Sequence, residues 1–115
     1  MKAYLAQWLE AIAPSIRPNT LASYRLNVRR LEKYIGNARL ATLTAPTVQT
    51  AYARLLASGL APRTVEMCHA VLHRALEQAV RWGMINRNVA SMVSPPRPSG
   101  REMSTLTPSL ASTLT

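Results

Sequence analysis

The chain has 115 residues, a length that fits one domain with a single modest core. Fourteen Lys and Arg face five Glu and no Asp, a net charge of +9, and twelve of the fourteen are Arg. A lone cysteine, Cys68, excludes an internal disulfide, and no stretch approaches the ~20 apolar residues of a membrane span.

The first helix is expected at AYLAQWLEAI, where Leu5, Trp8, Leu9 and Ile12 fall at helical spacing and Pro14 stops it. The second runs through RPNTLASYRLNVRRLEKYIG. Asn19 or Thr20 is placed to cap its start, and Gly36 stands where a left-handed C-terminal residue is wanted. Its stripe is Leu21, Tyr24, Val28, Leu31 and Ile35. The third, TAPTVQTAYARLLASG, has Thr44 as N-cap, Pro46 in its first turn and Gly59 beyond its end. Val48, Tyr52, Leu55 and Leu56 form its buried side. The fourth extends from Pro62 to about Trp82, with Val65, Cys68, Leu72, Ala75, Leu76 and Ala79 inward and Gly83 as its stop. A short fifth helix is expected after Asn88, ended by Pro95 and Pro96. With no alternating pattern and no repeat, the fold class is all-α, a bundle of four main helices.

Composition changes near Ser94. Half of the eight prolines lie at or beyond Pro95, SPPRPSGRE reads as a linker, and STLTPSLASTLT is too short and polar to form a domain alone. The expected division is a folded body over 1–94 and, over 95–115, a linker followed by the cut-off start of something larger.

Charge patterning gives the functional direction. On the second helix the side away from the stripe carries Ala22, Leu26, Arg29, Arg30 and Lys33, with Ser23 and Asn27 beside it. On the fourth it carries Arg63, Glu66, Ala70, His73, Arg74, Glu77 and Arg81, with His69 on the flank. Basic and small polar groups presented this way suit a DNA major groove and its phosphates. A solvated face is the alternative, with Arg74 and Arg81 paired along the helix to Glu77 and Glu66, and for Arg81 and Glu77 that pairing is preferred. His69 and His73 have metal-compatible spacing but lack the further ligands that zinc requires. None of Tyr4, Tyr24, Tyr34 and Tyr52 has the Arg and His cluster that would activate it, so no metal, cofactor or catalytic residue is expected.

The order of these residues resembles the core-binding domain of phage-type integrases, the tyrosine recombinases. The resemblance runs over about residues 3 to 108. It is carried by Thr20 and Tyr24, then Leu43 and Thr44, then Gly59, Leu60 and Thr64, and closes with Ala79, Val80, Gly83, Ile85 and Asn88. It implies a SAM-like orthogonal four-helix bundle that grips one side of a core-type recombination site in double-stranded DNA. It also implies a catalytic domain of the same protein gripping the other side. Carried over by position, it points to Asn19, Thr20, Ser23, Arg63, Thr64 and His69, with less weight on His73 and Arg74; Arg97 and Arg101 of the linker are expected to help.

The family's catalytic Arg, His-x-x-Arg and Tyr have no counterpart in this sequence, since His69 and His73 are each followed three residues later by Leu. The expectation is a DNA-binding, non-cleaving chain, monomeric alone and oligomeric on DNA within the full recombinase. The same reading gives a cytoplasmic protein of bacterial, phage or mobile-element origin. The main rival is a helical protein-interaction module with an acidic partner. A free-standing helix-turn-helix repressor is disfavoured by the long loop around Leu40 to Thr44.

Overall fold

The computed structural model describes residues 1–95. The expected linker, including Arg97 and Arg101, lies outside the described residues. Four α-helices form the body: α1 (Lys2–Ile12), α2 (Pro18–Ile35), α3 (Ala45–Ala57) and α4 (Pro62–Arg81). Short 3-10 turns lie at Ala13–Ser15, Leu40–Thr42 and Val89–Met92. No strand occurs among the described residues, and the fold is all-α, as the periodicity predicts.

The helix ends follow from local chemistry, with two departures from expectation. Pro18 occupies the first turn of α2, so the preceding Arg17 is held extended (φ −70°, ψ 150°) in the N-cap position without a side-chain cap. Asn19 and Thr20 therefore sit inside the first turn, exposed, and neither is the cap. Gly36 is right-handed (φ −60°), not left-handed. Its glycine is required by close approach, because a Cβ there would run into the Glu32 carbonyl.

Thr44 does cap α3, its hydroxyl accepting from the Thr47 N–H at 3.4 Å. Gly59 (φ 105°) and Gly83 (φ 76°) end α3 and α4 in the left-handed region. At each end the N–H groups of the glycine and its successor turn back onto the last carbonyls: Gly59 to Leu56 and Leu60 to Leu55, Gly83 to Val80 and Met84 to Ala79.

The core is centred on α4, whose Val65, Cys68, Val71, Leu72, Ala75, Leu76 and Ala79 are all buried. Against it lie Val28, Leu31 and Ile35 of α2, Val48, Ala51, Tyr52 and Leu55 of α3, and Tyr4, Leu5, Trp8 and Leu9 of α1. The second helix touches all three others, which makes it the central strut. Tyr4 crosses from α1 to donate its hydroxyl to the Ala75 carbonyl at 2.6 Å, and the small side chain at that position leaves the approach open.

Four expected core positions, Ile12, Leu21, Tyr24 and Leu56, are only half-buried, while Tyr4, Ala51 and Val71 join the core. The expected fifth helix is a single 3-10 turn. Asn88 caps it by accepting from the Ala90 N–H, and donates its own amide to the His73 carbonyl and to Glu77. The closing segment is thereby pinned to α4.

Leu31 is fully buried and Leu26, on the preceding turns of α2, is 45 % exposed. Leu31→Ala is expected to lower stability by about 2–5 kcal/mol through the cavity it leaves, and Leu26→Ala by less than about 0.5 kcal/mol. Chemical denaturation of the two variants measures the difference; equal losses would contradict this assignment of the α2 faces.

Candidate nucleic-acid interface

Two contacts define how the basic helices meet. Asn27 of α2 touches Cys68 of α4, and Tyr24, one turn earlier on α2, receives a hydrogen bond from Arg74, further along α4. The contacts therefore run in opposite order along the two helices. Asn19, Thr20 and Ser23 lie toward the Arg74 end, whereas Arg30 and Lys33 lie toward the Arg63 and Thr64 end. The predicted residues thus fall into two groups at opposite ends of one seam.

Two α2 positions differ from expectation. Asn27, expected beside the outer face, is 2 % exposed, at the boundary where α2 meets α4. Arg30, expected opposite the core, is half-buried and leans back into the seam, donating from Nη1 to Asn27 Oδ1 at 2.9 Å. Its backbone position is opposite the stripe, as expected, and it is the side chain that folds back one turn along its own helix to the buried amide. Ala22, Leu26, Arg29 and Lys33 do face outward. Arg25 and Arg29 share a shallow depression with Glu10 of α1 and Glu32, so the first helix supplies a counter-charge to this edge.

On α4 the expected outward residues Arg63, Ala70, Arg74, Glu77 and Arg81 are exposed, while Thr64, Glu66, His69 and His73 are half-buried. The expected pairing of Glu77 with Arg81 gives way to a bond from Asn88 Nδ2 to Glu77 Oε1 at 3.1 Å. Arg74 does not turn to a carboxylate either. Its Nη1 donates to the Tyr24 hydroxyl at 2.9 Å, with the guanidinium carbon 5.8 Å from the ring centroid. Tyr24 is itself stacked on the buried Trp8, with ring centroids 5.8 Å apart and planes 13° from parallel. Expected only as core, Tyr24 joins the core to the basic surface.

The two histidines belong to the other flank of α4, against α3 and the closing 3-10 turn. Tyr52 Oη and His69 Nδ1 are 2.7 Å apart, and the Ser91 hydroxyl lies 3.2 Å from His73 Nε2. Burial raises the Tyr52 phenol, with Cys68 adding to the effect, so the hydroxyl stays protonated, and the direction of the bond follows the His69 tautomer. Burial lowers the His69 pKa first, the neighbouring His73 lowers it further, and Glu66 opposes both. Burial likewise pushes the Cys68 thiol up, partly offset by Arg30. Among the described residues no three His, Cys or Glu side chains gather as a metal site, and no helix is long and apolar enough to cross a membrane.

Comparison with known proteins bears on what such a surface serves. Residues 1–56 match the family described as phage integrase, N-terminal SAM-like domain. The chain is 30% identical over 110 residues to a protein named Integrase from Saccharopolyspora erythraea, covering 92% of this chain and 25% of that one. It is 27% identical over 100 residues to one named Tyrosine recombinase XerC from Shewanella amazonensis, covering 82% of this chain and 34% of that one. The chain thus spans about a quarter to a third of the length of these curated relatives. No solved structure matches it significantly.

The lowered pKa of His69 has a consequence for stability. In the unfolded chain the imidazole takes up its proton near the ordinary value, ~6.5, and in the fold only at lower pH. The unfolded state therefore binds more protons within that window, and the stability contribution is full above ~6.5 and lost as pH falls below it. Denaturation midpoints measured from pH 7.5 to 5 should fall on acidification, and less steeply for His69→Gln. Identical slopes for both proteins would contradict the half-buried, neutral histidine.

Proposed function

We propose, for a chain that belongs to the phage integrase N-terminal SAM-like domain family, that its role is to bind and orient double-stranded DNA at a core-type recombination site. Strand cleavage and exchange would be performed by the catalytic domain of a longer protein. The observation that carries this reading is the α2–α4 seam, where the guanidiniums of Arg30 and Arg74 are held by neutral partners, Asn27 and Tyr24. Guanidiniums not matched to carboxylates are free to neutralise phosphates, which dominate affinity for duplex DNA.

In this reading residues 1–94 form the binding domain, and 95–115 lead, through Arg97 and Arg101, toward the catalytic domain. Asn19, Thr20 and Ser23 at the start of α2, with Arg63 and Thr64 at the start of α4, are the short polar and forked side chains suited to base edges and phosphates. Helix N-termini at both ends of the seam add favourable dipole potential for phosphate. His69 and His73 are held on the far flank of α4 and belong to the edge of the interface. Lacking the catalytic Arg, His-x-x-Arg and Tyr, the chain would bind without cutting, monomeric in isolation and assembled on DNA only within a full recombinase. The reading also makes the protein cytoplasmic.

The experiment is a salt titration of the purified domain against labelled duplex DNA. Binding at low salt, weakening linearly on a logarithmic salt axis toward ~10⁻⁴–10⁻⁶ M at physiological salt, is the expected result. Arg63→Ala should reduce the slope by about one phosphate contact while leaving the melting temperature unchanged. No DNA binding at low salt, together with binding to a polyglutamate probe, would transfer the assignment to a protein-interaction module.

A further inference from the structure

Asn27 and Asn88 are the two buried polar side chains among the described residues. Asn88 has an evident structural role, since its amide and carbonyl are both engaged in fastening the closing 3-10 turn to α4. Asn27 fastens no such segment. Its Oδ1 accepts from the Cys68 thiol at 3.5 Å, a weak donor, and from Arg30 Nη1 at 2.9 Å. A buried amide costs stability unless it is well bonded, and a leucine in its place would extend the stripe of Val28, Leu31 and Ile35. The strong bond it makes is to an arginine at the surface.

One turn away the pattern repeats with different chemistry. Arg74 reaches from α4 to the Tyr24 hydroxyl, and Tyr24 is clamped in orientation by its stack on Trp8, which is 1 % exposed. Two arginines from facing helices are thus each tied by one neutral hydrogen bond to adjacent turns of α2. A neutral anchor fixes a guanidinium without cancelling its charge, and its remaining N–H donors stay available. A carboxylate anchor would fix it equally well and remove the attraction to phosphate.

We propose that Asn27 and Tyr24 are positioning residues that hold Arg30 and Arg74 as a pre-oriented pair across the α2–α4 seam, ready for the phosphates of one DNA strand. This rests on the DNA-binding reading. Pre-orientation acts on affinity through entropy: a flexible arginine must lose its rotamer freedom when it binds, and an anchored one has already lost it. The loss for one rotamer-rich side chain corresponds to roughly a two- to tenfold change in affinity.

A double-mutant cycle with duplex DNA as probe tests the pairing. Tyr24→Phe keeps the ring and its stack, so the domain should melt as the wild type does. Its affinity should fall roughly two- to tenfold at an unchanged salt slope, because Arg74 still reaches its phosphate. Arg74→Ala should lower the slope by about one, and adding Tyr24→Phe to it should cost nothing further. Asn27→Ala with Arg30→Ala forms the parallel cycle, read alongside melts because Asn27 is buried. A Tyr24→Phe loss that persists in the Arg74→Ala background, or no loss at all while the wild type binds, overturns the positioning role alone. Failure of the wild type to bind duplex DNA at low salt overturns the DNA-binding reading itself.

Discussion

The packing of α2 against α4 is the contact that the rest of the molecule is arranged around, because it serves the core and the surface at once. Inward, the seam closes over Leu31 and Leu72, which are fully buried, and at its edge it encloses Asn27 and Cys68. Outward, the same two helices carry Arg30, Lys33, Arg63 and Arg74. The first helix and α3 complete the burial on either side, and the closing turn is fastened to α4 through Asn88. A change in how α2 and α4 cross would alter the core and the spacing of the basic groups together.

Along this seam electrostatics and packing are reconciled by neutral hydrogen-bonding partners. A chain with twelve arginines among 115 residues and only five glutamates cannot pair its charges internally. The carboxylates it has are partly used elsewhere: Glu77 accepts from Asn88, and Glu10 and Glu32 share a depression with Arg25 and Arg29. What remains on the α2–α4 surface is positive charge tied to amide and phenol oxygens. This costs the fold less than burying ion pairs would, and it leaves the charge available to an anionic partner.

The helices are legible in the sequence because each carries a clean apolar period and ends on residues with one physical use, such as Thr44 at a cap or Gly59 and Gly83 in the left-handed region. The departures arise where a neighbour decides the outcome. Pro18 starts α2 a step before the polar residues that would cap it, and Gly36 is there for the Glu32 carbonyl it approaches, not for its own backbone angles. Asn27 lies at the margin of a stripe, and the position of α4 makes it a buried amide to which Arg30, three residues on, turns back. Tyr24 shows the same limit: its spacing marks it as core, but its hydroxyl serves Arg74, fifty residues away in sequence. The i, i+3 spacing of Asn27 and Arg30 is the one local clue to an anchored arginine.

The central claim is that the α2–α4 seam is the surface that meets DNA. Backbone amide shifts of the isotope-labelled domain, followed by NMR during titration with a short duplex at low salt, test it most directly. The largest changes are expected along Thr20 to Lys33 and Arg63 to Arg74, with little change over α1 or over the groove that Leu43, Thr44, Leu76 and Met84 line on the other side of α4 from α2. Changes concentrated in that groove, with the seam silent, would contradict it.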